Sequence, residues 1–338
     1  MTTFIAAVIL FGVLITIHEL GHFLAAKGTS MLVTEFAVGF GPKLWQRKYG
    51  ETTYSLRLIP MGGYNRIAGM EPGDVSTERG FNSRPLWARM LVILAGPAMN
   101  LLLPIVIFFG VFLFHGVDTM VDQPIIGTIM SGYPAEQAGM KPGDHVISIN
   151  GTPTEKWGDI SRLIEENGPV PSYIMVERDG MDKRLIIKPE YQQHSKRYLI
   201  GVTPMIIHKT LGIGESFVSA IQNVGRVATA MVKSLKLIFL EKASADLSGP
   251  LGVAHMAGNV AAQGAVPYLS FMAFLSINLA ILNLLPVPAL DGGQFLVLVI
   301  EGIIGHPLPT KTKEVIQALG VICIILITVA ATFHDLMR

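Results

Sequence analysis

Charge is what this chain has least of. Only 15% of its 338 residues are Asp, Glu, Lys or Arg, against 50% hydrophobic. Soluble domains carry about 25% charged residues. So apolar a composition, with a mean hydropathy of +0.49, excludes purely aqueous domains and points to a membrane protein with some aqueous mass. Cysteine is nearly missing. The single Cys323 lies in an apolar run, which excludes a disulfide framework and a cysteine-based zinc site. No basic excess is present either. A net charge of +1 gives no field for nucleic acid, and no nucleic-acid partner is expected. The first apolar run has neither a basic segment ahead of it nor a small-residue cleavage site. It is expected to stay as a span and not to be removed as a signal peptide.

Four stretches are long and apolar enough to cross a bilayer. They are Phe4 to Ala26, Met90 to Phe114, a run centred on Pro267 to Leu285, and about Val315 to Phe333. The alternative for the third is a buried core helix. It is weakened because no Asp, Glu, Lys or Arg occurs between Asp246 and Asp291. Basic residues in short loops set orientation. Lys27, Lys43, Arg47, Lys48, Arg57, Arg66, Arg79 and Arg84 lie between the first two spans, and Lys311 and Lys313 precede the fourth. This predicts an outside N-terminus, a cytoplasmic first loop, an outside central region and a cytoplasmic third-to-fourth connection.

The first span ends in His18-Glu19-Leu20-Gly21-His22. HExxH on a helix puts two imidazoles on one face, where both can bind one metal ion, with Glu19 beside them to take a proton from water. Hydrolytic zinc usually has three protein ligands and an open position. The best third candidate is Asp291, in Asn283-Leu284-Leu285-Pro286-Val287-Pro288-Ala289-Leu290-Asp291-Gly292-Gly293, because an ionised group at membrane depth is costly and marks function. The prolines and paired glycines break the helix and let side chains turn toward a metal. His115, His255 and His306 are weaker candidates, each a lone histidine. Asn100 reads first as a helix-packing hydrogen bonder, and Gly96-Pro97 as a kink or close-packing device.

Within the first loop, Thr34 to Val38, Leu44 to Lys48 and Thr53 to Leu58 alternate as strands, separated by turn signals at Gly39, Gly41-Pro42 and Gly50. They predict a small sheet beside the membrane, either a solvated hairpin or an edge that pairs with an unfolded substrate strand. The string Ser131 to Gly151, with Pro134-Ala135-Glu136-Gln137-Ala138-Gly139 and Gly143-Asp144, resembles a PDZ domain. A helix near Trp157 to Asn167 and strands at Tyr173 to Glu177 and Arg184 to Lys188 suit it. Such folds capture extended peptides or C-termini by strand addition, unless the groove is closed and the domain is a spacer. Phe217, Ile221, Val224, Ala228, Met231, Leu235 and Ile238 recur at helical spacing, predicting an amphipathic helix that lies at the membrane interface or packs on the core.

HExxH in one span with NxxPxPxLDGG in a later one resembles the site-2 protease family of intramembrane zinc metalloproteases. It is most similar to the bacterial regulator-of-sigma-E type, which carries an outside PDZ domain. Pro60 to Tyr64, Ala95 to Asn100 and Ser248 to Gly252 fit the same group. Some relatives carry two PDZ domains; only one is visible here. The resemblance implies a polytopic α-helical membrane protein of about four transmembrane helices, with a small membrane-associated β-sheet and one extracytoplasmic PDZ-like α+β domain. Residues 1–115 would hold the first two spans, with a cytoplasmic-side hairpin loop at 27–87. Residues 116–205 would form the PDZ-like domain. Residues 206–265 would hold the amphipathic linker helix and the Gly-Pro-Leu-Gly segment, and 266–338 the last two spans.

The resemblance further implies that His18, His22 and Asp291 bind Zn2+ and that Glu19 is the general base. Asn283 would hold the substrate backbone or stabilise the oxyanion, and Gly62, Gly63 and Tyr64 would pair with substrate. The setting would be the bacterial inner membrane, among lipid, with the active site toward the cytoplasm. Substrates would be single-span proteins, either anti-sigma factors receiving the second cut of regulated intramembrane proteolysis or signal-peptide remnants. The competing reading is a non-catalytic PDZ-bearing receptor or scaffold with a structural metal; Glu19 speaks against it, since a structural site needs no base. A transporter would show inverted repeats of broken helices, and none is evident.

Overall fold

The computed structural model describes residues 2–71, 77–193, 196–241 and 249–337. Ser248, first of the Ser248 to Gly252 string, lies outside them, as does the side chain of Ile238. Two compact units divide the chain, residues 1–113 with 212–338, and residues 114–211.

The first unit begins with α1 (Thr2–Gly28), β1 (Val33–Tyr49), β2 (Thr52–Ile67) and α2 (Leu86–His115). Ala6, Leu10, Leu14, His18 and His22 repeat every four residues along α1, and all five are buried. The stripe that packs the helix therefore also sinks the two imidazoles. β1 and β2 differ from the three separate strands expected. Gly39 and Gly41 adopt φ of 89° and 84°, conformations that glycine reaches without strain. They form an irregularity inside one long strand where turns were expected. Residues 35–38 of β1 are paired on both sides, by 53–56 and by 63–66 of β2. The string Pro60 to Tyr64 lies within β2. β2 also follows α1 into the span: a Cβ on Gly12 would lie 2.7 Å from the Pro60 carbonyl oxygen, and one on Gly63 3.7 Å from Glu19 Cγ. The sheet reaches alongside the membrane helix to two turns beyond the HExxH motif.

The second unit is α+β: β3 (Val117–Met120), β4 (Ile126–Ile129), α3 (Pro134–Gln137), β5 (His145–Ile149), β6 (Thr152–Pro153), α4 (Trp157–Asn167), β7 (Ser172–Arg178), β8 (Met181–Ile187), β9 (Glu190–Gln192), β10 (Arg197–Leu199), β11 (Val202–Pro204) and β12 (Ile206–Lys209). β6-β5-β7-β8 form an antiparallel sheet, while β4 pairs with β11 and β3 with β12. Asn150 and Gly151 take φ of 50° and 82° in the tight turn that joins β5 to β6, as Asn-Gly turns do. The core is mainly isoleucine: Ile126, Ile149, Ile160, Ile164, Ile174 and Ile187. Asp144 is wholly buried and is held by Arg178, whose Nε and Nη2 donate to its two oxygens at 2.6 and 2.7 Å.

The first unit resumes with α5 (Ile213–Glu241), α6 (Pro250–Ala262), α7 (Ala265–Asn283), α8 (Asp291–Ile304) and α9 (Thr310–Met337). α5 is the amphipathic helix expected, and its buried Ala220 and Val224 pack with Phe108, Ala273 and Ile277 of α2 and α7. α6 and α8 were not separable in the sequence: both are short and lie between or beside spans. Glu301 of α8 is buried between Arg89 (3.0 Å) and Lys313 (2.6 Å), which ties α8 to α2 and α9. Among the described residues, four helices are long and apolar enough to cross a membrane: α1, α2, α7 and residues Thr310–Phe333 of α9. Lipid suits the outer surface of α9, where Val315, Leu319, Ile322, Leu326 and Val329 are exposed.

Candidate active site

Three elements meet at the two histidines of α1. His22 Nδ1 lies 2.8 Å from the Val92 carbonyl oxygen of α2. A carbonyl only accepts, so Nδ1 carries the hydrogen and Nε2 keeps a lone pair. His18 Nδ1 lies 3.2 Å from the Asn100 side-chain amide, whose Oδ1 is otherwise buried and unpartnered. With that amide turned, Oδ1 accepts from His18 Nδ1. His18 Nε2 then also presents a lone pair. Ser276 fixes the Asn100 backbone by donating to its carbonyl at 2.7 Å. Each imidazole is thereby oriented through the nitrogen that faces away from the site, as metal-bound histidines are.

Asp291 is the first residue of α8, where the helix dipole favours a carboxylate. The turn before it is tight. Ala289 has φ of 71°, a left-handed conformation costing a non-glycine residue about 1 kcal/mol. Side chains at Gly292 or Gly293 would collide with the carbonyls of Leu284, Leu285 and Val287. Asp291 Oδ2 lies 3.1 Å from His18 Nε2 and 3.6 Å from His22 Nε2, and the two Nε2 atoms are 3.1 Å apart. Oδ2 is buried and takes no hydrogen bond among the described residues.

Two lone pairs and a carboxylate oxygen facing one another repel unless a cation sits among them. Nitrogen and oxygen donors 2.0–2.2 Å from one tetrahedral ion lie roughly 3.3–3.6 Å apart, close to the three separations seen. The donor set of two imidazoles and a carboxylate is one that hydrolytic zinc uses, with a fourth position left open. Gly96 of α2 backs the site. A Cβ there would stand 2.5 Å from His22 Cε1 and 2.8 Å from His18 Cε1, so the position reads as close packing against the rings. Among the described residues this is the one cluster of three or more potential ligands. His115, His255 and His306 are exposed and take no part.

Glu19 follows His18 and faces the sheet. Asn65 of β2 donates through Nδ2 to Glu19 Oε2 at 2.9 Å and also to the Glu19 main-chain oxygen. Gly62 and Gly63 are buried beside this contact. Tyr64 is turned away, with the guanidinium carbon of Arg57 5.0 Å from its ring centroid. Asn283 closes α7, half-buried, and makes no hydrogen bond to the cluster. A cleft of about 390 Å³ opens nearby, lined by Asn65, Ile93, Pro288, Gly293 and Gln294 among others. Sequence reasoning passed over Asn65 and the Val92 carbonyl. Asn65 had a faint signal, a polar residue alternating with Gly63 and Ile67 on the inward face of a strand; the carbonyl had none.

Residues 6–327 match Peptidase family M50. A putative zinc metalloprotease of Clostridium acetobutylicum is 35% identical over 334 residues, covering 98% of this chain and 97% of that protein. A putative zinc metalloprotease of Fusobacterium nucleatum is 33% identical, covering 99% of each. The regulator of sigma-W protease RasP of Bacillus subtilis is 30% identical, covering 100% of this chain and 99% of that protein. A solved PDZ domain from an SdrC-like protein of Listeria monocytogenes aligns with 26% of this chain at 17% identity and a TM-score of 0.23, too low to support any statement about the second unit.

Proposed function

The chain belongs to peptidase family M50 and is a zinc metalloprotease, and from that premise we propose that it cuts a peptide bond inside the membrane, with His18, His22 and Asp291 as metal ligands and Glu19 as general base. The observation that carries the reading is the convergence of three donor atoms, one with no hydrogen bond, beside a carboxylate on an apolar helix long enough to span. Zinc bound there supplies Lewis acidity, polarising the scissile carbonyl and bringing the pKa of water to about 7.

The side chains do the rest. His18 and His22 keep their Nε2 lone pairs on the site because Asn100 and Val92 engage the other nitrogens. Glu19 takes a proton from the attacking water and passes it to the leaving amine. The segment 63–67 pairs with β1 on one side, and no described strand covers the other. A substrate strand added there, along Gly62, Gly63 and Tyr64, would surrender its helical hydrogen bonds to the ladder and expose its carbonyl beside Glu19. Asn283, whose amide makes no hydrogen bond among the described residues, is assigned to the substrate backbone or the oxyanion.

Single-span membrane proteins are the substrate class, of the anti-sigma-factor or signal-peptide-remnant kind. The relative named a regulator of sigma-W protease supports the first. Residues 116–205 are read as an outside PDZ-like domain that takes a peptide or C-terminus, and the loop charges orient the active site toward the cytoplasmic side of a bacterial inner membrane. The scaffold reading has no feature in its favour. The test is Glu19→Gln in detergent with full zinc content. Cleavage falls by roughly 10²–10⁴-fold if Glu19 is the base; cutting at the wild-type rate refutes the mechanism.

A further inference from the structure

We infer that Asn65 is a positioning residue for Glu19, so that the strand assigned to substrate pairing also aims the base; this rests on the function proposed above.

Glu19 sits on α1 with three rotatable side-chain bonds, and a free glutamate spreads over many rotamers. A general base must lie within hydrogen-bond reach of the proton it takes. Among the described residues, the hydrogen bond to the Glu19 carboxylate comes from Asn65 Nδ2, at 2.9 Å from Oε2. The same nitrogen also meets the Glu19 main-chain oxygen. An amide nitrogen carries two hydrogens in one plane. Spending one on the backbone and one on the carboxylate of a single residue clamps that residue's side chain to its own main chain. Neither hydrogen remains for substrate.

The clamp comes from a rigid place. Asn65 pairs with Phe36 of β1, and its neighbours on the same strand face are Gly63 and Ile67. Ile67 is only 2% exposed and belongs to the core between α1, α2 and the sheet. Gly63 lets the strand come within van der Waals contact of Glu19 Cγ, where a Cβ would stand at 3.7 Å. Packing needs no polar group here: an aliphatic side chain would suit this inward strand position. The price of the asparagine is visible in its Oδ1, which is buried and has no partner among the described residues. An unpaired buried acceptor is unfavourable, and a residue that keeps one is held by something other than stability.

The test uses the full-length zinc-loaded protein and a fluorescence-quenched transmembrane peptide of about 20 residues, rich in Leu and Ala with a central Gly-Pro pair, that the wild type cuts. Asn65→Leu keeps the shape and removes the donor. Asn65→His returns an N–H at nearly the same place. The expected result is a kcat lowered by roughly 10–100-fold in Asn65→Leu, with KM within about twofold and zinc content unchanged. Asn65→His recovers most of the loss. In the metal-free protein, the infrared carboxylate band that Glu19→Gln removes shifts in Asn65→Leu and returns in Asn65→His. A wild-type kcat in Asn65→Leu overturns the inference, as does a loss shared by kcat, zinc content and thermal stability that His does not restore. Glu19→Gln in the same assay separates the two readings. If it cuts normally, the proposed function fails; if it is silent while Asn65→Leu is normal, only the role of Asn65 fails.

Discussion

Gly96→Ala is the smallest change that bears on the metal site. The added methyl would stand 2.5 Å from His22 Cε1 and 2.8 Å from His18 Cε1, where ordinary contacts begin at 3.4 Å. Neither ring can swing away freely, since Val92 and Asn100 hold their Nδ1 atoms. Something must therefore move by about 1 Å, a displacement that costs an active site on the order of 100-fold. Helix separation is the other outlet, but Gly21 of α1 packs flush on the Ala95 carbonyl one residue away. Overpacking of this kind costs about 1–3 kcal/mol. Gly110→Ala on the same helix is the matched control, since nothing lies within 4 Å of its would-be Cβ. Zinc content by mass spectrometry, cleavage rate and melting temperature are read on both. The expected outcome is weaker zinc retention and a rate about 100-fold lower for Gly96→Ala, with Gly110→Ala near wild type. If Gly96→Ala keeps stoichiometric zinc and more than half the activity, α2 does not press on the ligands as described.

Asp291→Asn exchanges a charged donor for a neutral one; zinc retention under a chelator series should fall, and unchanged content would remove Asp291 from the ligand set. Asn100→Ala leaves His18 without its orienting partner and should weaken zinc binding by roughly 10–100-fold, read by the same series, with unchanged affinity as the contrary result. In the second unit, burial alone would raise the Asp144 carboxyl, but the Arg178 guanidinium and the Lys141 N–H outweigh it and hold it below its ordinary 3.8. The folded-state value lies below the unfolded one. The pair therefore stabilises fully above that pH and progressively less as pH falls through the folded-state value. Protease cuts mapped within 114–211 after brief acid exposure should appear only in that low range. In Arg178→Met, which strands a buried carboxylate, they should appear at neutral pH; a variant as resistant as wild type would refute the pairing.

Much of this was legible locally. The spans could be read because charge is costly in a bilayer wherever it occurs, so composition over some twenty residues is enough. α4 begins and ends where its pattern placed it, at Trp157 and Asn167. The irregularity at Gly39 and Gly41 was not legible, because glycine permits a bulge and a turn equally. Only pairing of residues 35–38 on both sides selects the bulge. α6 and α8 were hidden by their apolar surroundings, which give no polar punctuation.

By itself, then, the sequence determined the solvent of each segment and the chemistry on offer: four apolar runs, two histidines one turn apart with a glutamate between them, and a lone carboxylate beyond a long uncharged stretch. These follow from residue type and near spacing, which are local. Tertiary structure alone decided that Asp291 meets His18 across 273 positions of chain, that Val92 and Asn100 turn the rings, that Gly96 leaves them room, and that Asn65 holds Glu19. Contacts between distant elements depend on how helices and strands pack, and no periodicity along the chain records them.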